Sequence, residues 1–477
     1  MAPSIQIGAR EQHLEEMARA PLDVLIVGGG INGAGIARDL ALRSEAASEP
    51  LRIGLVEQRH FSSGTSGRNS QLIHGGLRYL KYFEFSPVRE ALHERRTLLE
   101  IAPHLVHPLP LLLPFYRAFD RYFYGAGLWL YDQLAGSFNI GERRYLSRAE
   151  VARMEPALAT GGLHSAAIYY DCAVGSARLV LENLQDAARH GALIANYAEA
   201  RPWQRAADGF TCEVADTFTG ATRLLRTRQI VDARGPWETG GNVRLVRGSH
   251  IIVPRLNASD SAIAYFGPDG RIIFVIPWGP EKTLSLVGTT DVDHGGTADD
   301  VRISAAETRY LRDVVERLFP GKSSEPVAAY SSLRPLIVTK GASATAASRS
   351  HRIWMEEGVL KIAGGKYTTY RSMAEEAVDL ITPRWQGKSR TASEKLPDPA
   401  AAIAQAGGPL AYAVKHEMAR RLPDLMFVST YWGHERLWTA EDLRPLAREM
   451  GALLDWDDAR VDEEIALTLE IARMPTE

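Results

Sequence analysis

At 477 residues the chain is too long for one compact core, so two or three domains are expected. An apolar share of 45% with 24% charged residues is that of a folded globular protein, and a net charge of −3 offers nucleic acid no general attraction. Only Cys172 and Cys212 are present, which excludes a disulfide framework and fits a reducing cytoplasm with buried, inert thiols.

The first residues, MAPSIQIGAREQHLEEMARAPLD, lack the apolar stretch of a signal peptide and predict a short charged helix. Val24 to Val27 then forms a short β-branched run, followed by a glycine turn, a helix from about Gly33 to Arg43 and a strand from Arg52 to Glu57. That is a β-α-β unit of the doubly wound kind. Ser86 to Ile101 has helical spacing and stops before Pro103. Leu179 to Arg189 is a further amphipathic helix that leads into a strand over Leu193 to Tyr197.

Near Val246 the texture changes. RGSHIIVPRL, RIIFVIPWG and TLSLVGTTD are short strands separated by turn residues, which predicts an antiparallel sheet. VLKIAGGKYTTYRSMAEEAVDLI returns to strand, glycine turn and helix. A polar linker precedes an all-helical end. The expected division is a dinucleotide-binding domain over 20–110, 166–243 and 358–383, an intervening segment 111–165, an antiparallel-sheet domain over 244–357 and a helical domain over 400–477. The class is α/β with an α+β second domain.

Gly28, Gly30 and Gly33 have G-x-G-x-x-G spacing directly after a strand and at a helix start. Such glycines allow the tight turn, backbone approach to a pyrophosphate and close helix packing. The pyrophosphate then meets the N–H groups of the helix start. Glu57 closes the second strand, where an acid can bind ribose hydroxyls. The unit alone fits FAD or NAD. Two features favour FAD: no second G-x-G-x-x-G is present, and GTSGRNSQLIHGGLRYL and AGGKYTTYR are distant segments suited to a large isoalloxazine.

These segments carry a resemblance. DVLIVGGGINGAGIARD, SGTSGRNSQLIHGGLRYL, RGSHIIVPRL, FVIPWG, GTTD, YSSLRPL and GGKYTTYR stand in the same order as in the FAD-dependent, quinone-linked, aerobic-type glycerol-3-phosphate dehydrogenase family. The resemblance spans roughly Arg10 to Ile381. It implies a Rossmann-like flavin domain of the glutathione-reductase type, a substrate domain over the flavin face and a short helical C-terminal domain. The implied reaction oxidises glycerol 3-phosphate to dihydroxyacetone phosphate and passes electrons to membrane quinone.

By the same resemblance Gly28, Gly30, Ile31, Asn32 and Gly33 hold the pyrophosphate and Glu57 the ribose. Thr65, Ser66, His74, Gly75 and Leu77 line the flavin, and Ala200 meets the adenine through its backbone. Gly235 and Trp237 close the site, and Gly364, Gly365, Lys366 and Thr368 cap the ring. The chain departs from the family pattern at Gln71, where Lys is common, at Arg234 and at Tyr367, and its C-terminal domain is shorter than usual. Gln71 and Tyr367 keep a related polyol phosphate open as substrate.

Hydride transfer from a secondary alcohol needs a base for the hydroxyl proton and an anchor for the phosphate. Arg78, Arg334, Arg349 and Lys366 are the cations at the motif positions, and guanidinium forks suit phosphate. His250 is the candidate base, since an ordinary imidazole titrates near ~6.5; the competing role is a histidine satisfied within a sheet. No metal site or hydrolase elbow is apparent. Phe115 to Gly136 (FYRAFDRYFYGAGLWLYDQLAG) is rich in aromatics with Arg117 and Arg121 among them, which suits either a membrane interface or a helix covering the flavin domain. The expected location is cytoplasmic, peripheral on the inner face of the membrane. The electron acceptor, quinone or O₂, and oligomeric state, homodimer included, stay open.

Overall fold

The computed structural model describes residues 9–45, 50–238, 243–267, 269–337, 351–381 and 388–474, with the side chains of Arg78, Lys81 and Tyr82 left aside. Its first sheet runs Val359–Gly364, Thr222–Asp232, Leu22–Val27, Ile53–Val56, Leu193–Ala195, all neighbours parallel. His351–Glu356 adds an antiparallel edge, and Gly209–Asp216 pairs antiparallel with the long strand Thr222–Asp232.

Strand periodicity explains the two-sided burial. Val24 and Ile26 point into a core shared with the helices Ile31–Glu45, Ser176–Arg189 and Tyr370–Ile381. Leu25 and Val27 point the other way, against Leu14 and Met17 of the N-terminal helix Ala9–Arg19 and against Phe210 and Val214. Both faces are covered, which is why the run reads as continuously apolar.

Among the described residues the second sheet has ten strands, with Val243–Pro254 flanked by Leu284–Gly288 and Ala328–Ile337. Here too alternate residues serve two cores: Ile251 and Val253 face one, Ile252 the other. The antiparallel expectation for this region holds. The strands Val106–Phe115 and Ser165–Val174 also belong to this sheet and pair with each other along ten residues. The first sheet's body is therefore left before residue 106 and rejoined at the helix starting at Ser176, rather than at 110 and 166.

The helix Asp120–Ala135 buries Gly125, Leu128, Tyr131 and Ala135 on one stripe. Phe119, Tyr122, Phe123 and Trp129 stay exposed, Tyr122 at 73%. The segment thus covers the body on one side and presents aromatic rings on the other. Among the described residues no helix is long and apolar enough to cross a membrane.

The C-terminal helices Ala400–Ala406, Pro409–His416, Ala440–Leu454 and Asp458–Ala472 belong to a helical body with its own core around Leu422, Met426, Leu443 and Met450. Tyr431 fastens that body to the one built on the first sheet. Its hydroxyl accepts from the Ala177 N–H at 2.9 Å and donates to the Gly67 carbonyl at 3.1 Å.

Candidate active site

A cavity of about 430 Å³ runs from the glycine turn after Leu22–Val27 to the turn after Val359–Gly364. It is walled on one side by the strands Val243–Pro254 and Ala328–Ile337 of the second sheet. Residues from both sheets therefore meet in one space.

At its first end lie Gly28, Gly30, Ile31, Asn32 and Glu57. Gly33 lies beneath them, where a Cβ would stand 1.9 Å from the Gly28 carbonyl oxygen. Backbone cannot yield to such a contact, so Gly33→Ala is expected to disorder the turn and purify without visible flavin absorbance. Retained colour would show that the turn is not needed for the cofactor. The Glu57 carboxylate accepts from the Gly29 N–H at 2.7 Å and the Arg59 N–H at 2.9 Å. Burial pushes its carboxyl up and these two N–H groups hold it down. Ser66 Oγ accepts the Ile31 N–H at 2.9 Å, which ties the segment 62–70 to the helix start.

Thr65, Ser66, His74, Leu77, Ala200, Gly235, Trp237, Gly364, Gly365 and Lys366 also line the cavity. Trp237 is steadied by a 2.7 Å bond from its ring N–H to Asp299. Gly75 and Thr368 stand behind the wall. Thr368 Oγ1 accepts the His74 N–H at 3.0 Å and lies 3.1 Å from its carbonyl oxygen, clasping together segments 294 residues apart. The Gly75 N–H reaches Tyr131 Oη at 2.8 Å and Asp171 Oδ1 at 3.3 Å. Asp171 is itself held by Arg95 at 2.8 Å and by Tyr131 at 2.7 Å, a buried network that reaches the wall at Asp171.

His250 and Arg334 both face this cavity. The His250 ring is buried, with Nε2 2.9 Å from Ser70 Oγ and, among the described residues, no partner at Nδ1. Burial first, and the neighbouring Arg334 charge second, lower its pKa to about 3. This corrects the ordinary value near 6.5 expected from sequence: desolvation penalises the imidazolium. Arg334 reaches Asp291 Oδ1 at 2.8 Å, the Thr290 carbonyl at 3.0 Å and Thr289 Oγ1 at 2.7 Å. The guanidinium is thus pre-positioned and partly neutralised, which sequence did not reveal. Gly248 and Gly288 make room for these two side chains, since a Cβ would lie 2.1 Å from Arg334 and 2.0 Å from the His250 ring.

Lys366 Nζ donates to the carbonyls of Pro87 at 3.0 Å and Gly75 at 3.2 Å and lies 4.5 Å from the Tyr79 ring centre. Arg78 belongs to the 3₁₀ turn Leu77–Tyr82, but its side chain lies outside the described residues, as does all of Arg349. Gln71 does not line the cavity; its side-chain amide oxygen accepts from the Ser176 backbone N–H and hydroxyl, both at 2.8 Å. Tyr367 does line it. Sequence reasoning missed Asn69, Ser70, Tyr79, Tyr169, Asp171, Phe274 and Thr289 on the wall. Asp171 alone carried a signal, an acid inside the apolar strand YYDCAV.

Residues 23–380 match the family described as FAD dependent oxidoreductase. The chain is 38% identical over 377 residues to D-erythritol 1-phosphate dehydrogenase of Brucella abortus (strain 2308), covering 75% of this chain and 72% of that protein. It is 36% identical over 385 residues to aerobic glycerol-3-phosphate dehydrogenase of Escherichia coli (strain K12), covering 76% and 74%. Among solved structures, glycerol-3-phosphate dehydrogenase from Bacillus halodurans complexed with FAD superposes with a TM-score of 0.78, at 23% identity and 99% coverage of each chain. The cofactor is FAD, and the site fits it. A Cβ at Gly30 would meet only Ser66 Oγ, at 3.1 Å, so backbone is open to the cavity where a pyrophosphate needs it. With the glycine turn, the acid at Glu57 and the matching relatives in hand, the chain belongs to the FAD-dependent oxidoreductases, in the aerobic glycerol-3-phosphate dehydrogenase family.

Proposed function

We propose that the protein oxidises a small polyol phosphate, sn-glycerol 3-phosphate first, to the corresponding ketone, dihydroxyacetone phosphate, with electrons leaving to quinone. The observation that carries this reading is that His250 and Arg334, a proton acceptor and a phosphate-directed cation, face the cavity that also holds the glycine turn and Lys366. FAD, when bound, supplies the two-electron acceptor. The chain supplies the rest.

At neutral pH the lowered pKa leaves His250 as free imidazole. Nε2 lies 2.9 Å from Ser70 Oγ and Nδ1 has no hydrogen-bond partner among the described residues, which leaves the ring acceptor capacity for a substrate hydroxyl. The hydroxyl proton passes to His250. Imidazolium is disfavoured while the Arg334 charge is near, and a phosphate dianion on Arg334 offsets that charge. Substrate binding thereby raises the basicity of its own base. Lys366 orders the Gly75 carbonyl edge, and Ile272 and Phe274 add apolar surface to the cavity wall, which would limit water around a bound substrate.

A second reading, a tetritol phosphate as substrate, is favoured by the 38% identity to the Brucella protein and by Tyr367 on the wall. Gln71 lends it no support, being turned to Ser176. The exposed rings of Phe119, Tyr122, Phe123 and Trp129 support peripheral docking on the cytoplasmic face of a membrane, where a quinone acceptor resides.

Anaerobic stopped-flow with a panel of polyol phosphates tests the assignment. Glycerol 3-phosphate should bleach the flavin fastest, and faster bleaching by erythritol phosphate would select the second reading. Bleaching by none would reject both. Reoxidation by a soluble quinone should outpace reoxidation by O₂; the reverse, with release of hydrogen peroxide, would make the enzyme an oxidase.

A further inference from the structure

Behind the His250 wall, between the second sheet and the C-terminal helices, is a separate cavity of about 200 Å³. Arg68, Arg302, Arg473 and His434 line it, with Ile303, Phe427 and Ile471 supplying apolar walls. We propose that it is a second oxyanion site, for a small phosphate or carboxylate carrying a short apolar body.

The charge distribution is the first argument. Arg302 and Arg473 share one carboxylate, Glu470, at 2.9 and 3.7 Å. Arg68 is different. Among the described residues its guanidinium makes no hydrogen bond and faces no carboxylate, and the charged or titratable groups felt there are Arg59, itself cationic, and the neutral Tyr431 hydroxyl. The residue is half-buried, so its fork lies in the cavity and stays open to a ligand, and a guanidinium holds an oxyanion with two parallel hydrogen bonds.

His434 is the second argument. It is buried beside Arg68, and burial together with that charge keeps its ring neutral, with a pKa of about 3. A neutral ring donates one hydrogen bond without a competing charge of its own. Three guanidiniums, one neutral imidazole and one shared carboxylate leave the cavity with an excess of positive charge that no described group answers.

The position couples the cavity to the flavin side. The Tyr330 ring stands 5.0 Å from His434 and 5.1 Å from His250, centre to centre, and its hydroxyl donates to the Asn69 carbonyl at 2.7 Å. Arg68 directly precedes Asn69 and Ser70, and Ser70 holds the His250 ring. An anion drawing on Arg68 pulls on the segment that positions His250.

The test uses the FAD-loaded enzyme. Crystals soaked in selenate should show an anomalous peak within hydrogen-bond distance of Arg68 and near His434, absent in Arg68→Gln. Titration calorimetry with inorganic phosphate should resolve this site besides any in the flavin cavity, weakened about 10–150-fold in Arg68→Gln, the range for a lost bond to a charged group. A wild-type map with no peak at Arg68 overturns the proposal and needs no variant to fold. Binding at crystal-soak concentration only, or phosphate affinity unchanged in Arg68→Gln, overturns it equally. Because the site lies outside the flavin cavity, these outcomes are independent of the substrate assignment.

Discussion

His250→Ala slows anaerobic reduction of bound flavin by roughly 10²–10⁴-fold, the usual contribution of a general base, and leaves FAD in place. Flavin retention is expected because His250 sits on the second sheet, whereas the glycine turn and Glu57 sit on the first. Stopped-flow reduction at saturating substrate measures the first quantity and the flavin-to-protein absorbance ratio the second. Reduction at a near wild-type rate would make His250 a structural residue, satisfied by Ser70 and packed against the tilted ring of Tyr330. The pH profile is informative as well. With its pKa held at about 3 in the free enzyme, His250 is unprotonated across the neutral range and contributes no acid limb near its ordinary value. An enzyme limb near ~6.5 in kcat/KM that vanishes in His250→Ala would contradict the desolvation argument.

Arg334→Ala is expected to collapse the preference for phosphorylated over unphosphorylated substrate. One hydrogen bond to a charged group is worth about 1.5–3 kcal/mol, or roughly 10–150-fold in kcat/KM. Glycerol offers no anion to lose, so the ratio of kcat/KM for glycerol 3-phosphate over glycerol isolates phosphate recognition from general damage. If Arg334 holds ground state and transition state alike, KM rises and kcat stays nearly constant. The variant also removes the 2.8 Å ion pair with Asp291, so a lower melting temperature accompanies the kinetic effect. A ratio that survives would place the phosphate elsewhere. A wild type with no such preference would remove the polyol-phosphate assignment itself.

The local parts of this protein were determined by short stretches of sequence. The apolar run at Val24, the glycines at 28, 30 and 33 and the acid at Glu57 specify a strand, a turn too tight for side chains and a strand end. Each constraint is satisfied within a few residues or between adjacent strands, so it can be read without knowing the rest of the chain. His250 and Arg334 stood out as candidates because their Gly-Ser-His and Leu-Arg-Pro segments occupy motif positions of the family the chain resembles.

What those side chains meet was decided only by the tertiary structure. Arg334 gains Asp291, 43 residues away; His250 gains Ser70 across 180 residues; Thr368 clasps the backbone of His74 across 294. Gln71 read as a substrate-side departure until folding turned it onto Ser176. The strand Ser165–Val174 read as part of the first domain because an apolar run carries no label for the sheet it joins. The lowering of the His250 pKa has the same origin. Burial and the distance to another charge are properties of packed surfaces, and packing brings together residues whose spacing along the chain says nothing of their spacing in the fold.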